Sequence, residues 1–131
     1  MSDAALAGTE AEVRAAAEAY ARALHAGDGA ALEELCHDRF AMHWVEADGA
    51  ARMLDKAAFV ARVAAREPLP GAPDLQIHSV DLAGPEIAHV KLSVAVPLRR
   101  FTDYLGFFRT DARWRLVTKL FRVAEGPAMA A

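Results

Sequence analysis

Apolar residues recur along this chain with two different periods, and the change from one to the other lays out its elements. From Thr9 to Ala26 the period is helical: Val13, Ala16, Ala17, Tyr20, Ala23 and Leu24 fall on one stripe. Thr9 with Glu12 three residues on forms a capping pair, and Gly27 supplies the stop. The small alanines let this helix lie close to a sheet. Asp28 caps a second, short helix that turns Leu32 and Leu35 inward and ends near His37. Phe40 to Glu46 is aromatic and apolar enough for a strand, followed by a turn at Ala47-Asp48-Gly49 and an extended piece to Leu54. Asp55 caps a third helix with Phe59, Val60 and Val63 on one side, broken at Pro68 in the loop Pro-Leu-Pro-Gly-Ala-Pro. From Leu75 the period becomes two: Leu75 to Leu82, a turn at Ala83-Gly84-Pro85, and Ile87 to Val96, where Ala88, Val90, Leu92, Val94 and Val96 share a face.

The last periodic stretch, Phe101 to Phe121, predicts a long β-hairpin turning at Asp111-Ala112. A two-residue turn sets Thr110 opposite Arg113 and Arg109 opposite Trp114. In that register Phe101, Asp103, Leu105, Phe107, Leu116, Thr118 and Leu120 share the core face, with Arg122 at its far end. Tyr104, Phe108, Val117 and Phe121 share the other with Arg113, Arg115 and Lys119. Asp-Gly would be usual at such a turn, and alanine tolerates positive φ poorly, at roughly 1 kcal/mol. A longer turn therefore competes, and with it the register would slip by one and move Asp103 to the other face.

Composition narrows the class. A 131-residue chain that is 54% hydrophobic and 25% charged is one globular domain, spanning residues 1–131 with loose tails at 1–8 and 123–131. Its one cysteine, Cys36, excludes an internal disulfide framework; no secretion signal or long apolar run is present, so a cytoplasmic protein is expected. The abundance of Ala, Arg and Gly suggests a GC-rich bacterial genome. Of the net charge of -3, the segment Arg99–Arg122 contributes seven basic and two acidic residues, a local +5 that leaves -8 to the rest. A basic, aromatic strand face suits single-stranded nucleic acid, but the overall acidity weighs against that, and complementing acidic helices is the simpler role. No two histidines stand i, i+4 as in a zinc helix and no glycine-rich phosphate loop follows a strand, so neither a metal nor a nucleotide cofactor is expected.

Helices first and antiparallel strands last make an α+β fold with helices on one face of the sheet. The runs AYARALHAGDGAALEELCHDRF and FTDYLGFFRTDARWRLVTKLF resemble the nuclear-transport-factor-2-like (SnoaL-like) superfamily, and within it the branch called putative lumazine-binding. The resemblance covers Thr9 to Phe121. It implies a cystatin-like cone, a strongly bent sheet wrapped around the N-terminal helices, with a cavity facing the sheet's inner side. That cavity would be lined by Tyr20, Phe59, Asp103, Leu105, Trp114 and Thr118, and on the first strand by Met42 and Trp44 or by His43.

Three roles compete. An apolar pocket could bind a small ring-containing ligand without turnover. A cofactor-free isomerase or lyase would use Asp103, raised toward neutral pH by burial, with Tyr20 or His43 as its partner. A purely structural protein would fill the cone with its own side chains. The apolar outer residues Tyr104, Phe108, Val117 and Phe121 predict a homodimer through the outer sheet face, rimmed by Arg113, Arg115 and Lys119.

Overall fold

The computed structural model of the protein describes residues 2–129. Its elements run α1 (Asp3–Ala26), α2 (Gly29–Leu35), β1 (Cys36–Val45), β2 (Ala51–Asp55), α3 (Lys56–Ala64), β3 (Leu75–Ala83), β4 (Ile87–Val96), β5 (Arg99–Thr110) and β6 (Arg113–Glu125). The strands form one open sheet in the order β2-β1-β6-β5-β4-β3. Every neighbouring pair is antiparallel except β1 and β6, which run parallel. This is the expected α+β cone. Among the described residues no helix is long and apolar enough to cross a membrane.

The caps behave as their chemistry requires. Asp28 accepts from the Ala31 amide at 3.0 Å and Asp55 from the Ala58 amide at 2.9 Å, each holding a first-turn donor that has no intrahelical partner. Helix α1, however, starts six residues before Thr9. Ser2 caps it by accepting from the Ala5 amide, and the alanine-rich turn that follows has the propensity to continue. Thr9 instead bonds back to the Ala5 carbonyl inside the helix. At the other end β6 runs to Glu125, so residues 3–8 and 123–125, expected as tails, belong to regular structure.

The hairpin turns in two residues, with Asp111 at φ 52° and Ala112 at φ 61°. The type I′ geometry thus forms despite the alanine, and the competing longer turn is not used. The register slips elsewhere. Phe107 pairs with Leu116, but Gly106 pairs with Thr118, leaving Val117 as an extra residue in β6. Asp103 keeps the inner face. From Thr118 onward β6 is inverted relative to the expected pairing, so Lys119 and Phe121 point inward while Thr118, Leu120 and Arg122 are exposed. Gly106 matches the bulge because a Cβ there would run into the Thr118 hydroxyl.

Candidate functional site

The inner face of β5 alternates Phe101, Asp103, Leu105 and Phe107, paired with Val94, Leu92, Val90 and Ala88 of β4. Helix α1 crosses this face, and its small buried positions Ala17 and Ala21 let Tyr20 reach the sheet. There the Tyr20 hydroxyl donates to Asp103 Oδ2 at 2.5 Å, with both side chains fully buried. Asp103 Oδ1 is buried with no hydrogen-bond partner.

Lys119 completes the cluster, and only the bulge brings it there. Its side chain is 7% exposed, and its Nζ lies 4.8 Å from the ring centre of Phe59, 5.0 Å from Phe121 and 5.2 Å from Tyr20. Three aromatic faces thus stabilise an ammonium that makes no ion pair among the described residues. Burial shifts each group toward its neutral form. It raises the Asp103 carboxyl above its usual value, against the opposing pull of Lys119 and the Tyr20 hydrogen bond. It lowers Lys119, against the field of Asp103. Tyr20 is raised by burial and by the adjacent carboxylate. Cys36, buried and unpaired, is pushed up by burial to about 12, which makes it a packing group rather than a nucleophile.

Above this cluster the cone narrows to a throat of about 20 Å³, lined by Met42, Phe59, Asp103, Lys119 and Phe121 among others. That is room for about one water. The throat borders a wider mouth cavity of about 530 Å³ between the end of α3, Leu24 of α1 and the β4–β5 connection. Arg62, Arg66 and Phe101 line both spaces, as do Val96 and Met129. Arg99 donates to the carbonyls of Pro127 and Ala128 at 2.8 and 3.2 Å, which ties the C-terminal segment across the mouth and sets Met129 on it.

Of the residues expected at the pocket, Met42, Phe59 and Asp103 line the throat, and Tyr20 holds its floor from behind. Leu105 is buried in the core beneath it. Trp44 is buried on the inner side of β1, beside Phe121 and a second, 250 Å³ cleft at the ends of β1 and β6. Three expectations are corrected. His43 faces out, because β1 turns Met42 and Trp44 inward and alternation then exposes the residue between them. Thr118 is carried to the outer face by the bulge. Trp114 lies on the helix side but near the N-terminal half of α1, where its Nε1 donates to Glu12 at 3.1 Å, away from the cavity. Lys119, Arg62 and Arg66 were not foreseen. Gly106 within a strand was the available sign of a bulge, and Arg62 and Arg66 stand i, i+4 on one helical face with no acid between them on that face.

Among the described residues no three histidine, cysteine or acidic side chains gather as a metal set. The basic residues of the hairpin do not share one face. Lys119 is internal, Arg113 pairs with Glu34 at 3.1 Å and Arg100 with Asp74 at 2.6 Å.

The same architecture occurs in solved structures. An NTF2-like protein of unknown function from Silicibacter pomeroyi DSS-3 is 26% identical, with a TM-score of 0.78 over 86% of this chain and 93% of that one. One from Shewanella baltica OS155 is 15% identical, with a TM-score of 0.80 over 96% and 99%. A ketosteroid isomerase-like protein from Erwinia carotovora atroseptica is 14% identical, with a TM-score of 0.68 over 89% and 97%. No curated protein matches the chain in sequence. The family model described as "Putative lumazine-binding" matches residues 8–122, and the chain, with its NTF2-like cone, belongs to that family.

Proposed function

We propose that the protein binds a small ring-containing molecule at the wide end of its cone. The observation that carries this reading is the 530 Å³ mouth cavity, which shares its walls with the throat leading to Asp103. Such a volume is typical of small-molecule sites. Phe101 supplies an aromatic wall, while Asp103 offers an acceptor whose Oδ1 is otherwise unused. A cytoplasmic setting suits the free, buried Cys36. Native mass spectrometry of protein purified from its own host, read beside the denatured mass of one chain, is expected to show an added small-molecule mass. Bare protein that also fails to gain mass from a metabolite extract would overturn the reading.

A second reading is favoured by the cluster itself. A carboxyl raised by burial, a tyrosine hydroxyl bonded to it and a nearby ammonium are groups that can take up and return a proton without a cofactor. In that case Asp103→Asn would abolish turnover of the identified ligand while the ligand mass stayed bound. The throat, with room for about one water, supports the third role, a cone filled by its own side chains.

The outer sheet face supports self-association. The cross-strand row Met53, His43, Leu120, Tyr104 and Lys91 spans five strands, and Met53, Leu120 and the neighbouring Val45 are 55%, 57% and 70% exposed. Leu120 stands where Phe121 was expected; Phe121 is buried inside and Val117 lies in the bulge, while Tyr104 and Phe108 keep their outward positions. A second copy covering this row would bury the apolar patch. Sedimentation is expected to show a dimer that Leu120→Glu converts to monomer; a native monomer at micromolar concentration would refute it.

A further inference from the structure

Among the described residues, two arginines at the mouth have no counter-charge. Arg62, in the last turn of α3, and Arg66, just beyond it, are four residues apart, half-buried, and line both the mouth cavity and the throat. Neither guanidinium makes a hydrogen bond or an ion pair among the described residues, and Arg66 Nη1 is buried with no acceptor. Arg99 adds a third guanidinium, occupied with backbone carbonyls. Among the described residues, the one acidic side chain on the cavity wall is the exposed Glu67. Gathering like charges in a partly dry cavity costs stability, and burial with the fields of Arg62 and Arg99 lowers the Arg66 pKa accordingly. An anion seated between the two forks would remove that cost and give the orphaned Nη1 its acceptor. The lining also includes Leu24, Leu69, Val96 and Phe101, apolar side chains that suit a hydrophobic body.

We propose that the mouth cavity selects an amphiphilic anion: a small molecule whose carboxylate or phosphate is held by Arg62 and Arg66 while an apolar or aromatic body lies against Phe101 and Val96. The proposal rests on the small-molecule reading above and adds the chemical class.

The test uses the native chain with three probes that share one ring: phenylacetate, its neutral amide phenylacetamide, and phenyl phosphate. Binding is followed by calorimetry and by the rise in melting temperature. Phenylacetate or phenyl phosphate is expected to bind at least about tenfold more tightly than the amide, as loss of charge-assisted hydrogen bonds requires; which of the two is tighter identifies the head group. Arg62→Gln with Arg66→Gln is expected to abolish that preference and the ligand-induced stabilisation, while the free variant melts no lower than the native protein. Equal binding of acid and amide, unaffected by the arginine changes, would overturn the anion assignment and leave the small-molecule cavity standing. Failure of all three probes at millimolar concentration would count against both. The acid–amide comparison on native protein decides the question even if the double variant does not fold.

Discussion

Asp103→Leu alone is expected to lower the unfolding free energy by roughly 1–3 kcal/mol, whereas Tyr20→Phe, Asp103→Leu and Lys119→Met together are expected to leave the protein at least as stable as the native chain. The single change removes the buried carboxylate facing Lys119 and strips the Tyr20 hydroxyl of its acceptor. The triple change replaces all three polar ends with apolar groups of similar volume and strands none of them. Urea titration of the two variants beside the native protein checks this. A triple variant as weak as the single one would mean that the cluster contributes net stability.

The cluster also carries a pH signature. The folded-state pKa of Asp103 is raised above the ordinary 3.8, so its contribution is fully present below the unfolded value and is lost as pH rises through the folded one. Lys119 is depressed below 10.5, so the unfolded chain binds the extra proton and stability returns as pH rises from its folded value toward 10.5. Native stability should therefore dip between these windows, above 3.8 and below 10.5, and the triple variant should flatten the dip. A buried cluster that costs stability is more economically explained by what it does to a bound molecule than by the fold.

The sequence was most legible where a local rule acts alone. The Asp28 and Asp55 caps needed only a side-chain oxygen one residue before a helix, and the face of Asp103 followed from strict alternation through β5. The α1 start was misplaced because two capping residues, Ser2 and Thr9, stand before one apolar stripe, and local chemistry does not rank them. The site was least legible on β6. Leu116, Val117, Thr118 and Lys119 read equally well in either register, since Val117 is apolar and fits both faces. A single extra residue there decides whether a lysine meets solvent or Asp103. The mouth was invisible for another reason: Arg62, Arg99 and Met129 come together only through the packing of α3 against the ends of β4, β5 and the C-terminal segment.

Phe59→Ala should cost roughly 3–5 kcal/mol, the usual range for emptying a buried aromatic site. The ring is 2% exposed, stacks on Phe40 with centres 5.2 Å apart, and lies under the Lys119 ammonium. Removing it takes away packing and one of three aromatic faces at that charge, and it widens the throat toward the mouth cavity. The vacated space is ring-shaped and opens on the throat that Asp103 also lines. Phenol should therefore rescue the variant, by about 1.4 kcal/mol at a free concentration ten times its Kd. Toluene should rescue it less, because it cannot donate to the free carboxylate oxygen. Thermal melts of native and variant protein with each compound make the comparison. A cost near 3–5 kcal/mol with selective phenol rescue would mean that the throat is a closed extension of the ligand cavity, gated by one side chain. The same cost with no rescue would mean that α3 settles into the gap, leaving the lower cone as core and the mouth, with Arg62 and Arg66, as the whole of the binding site.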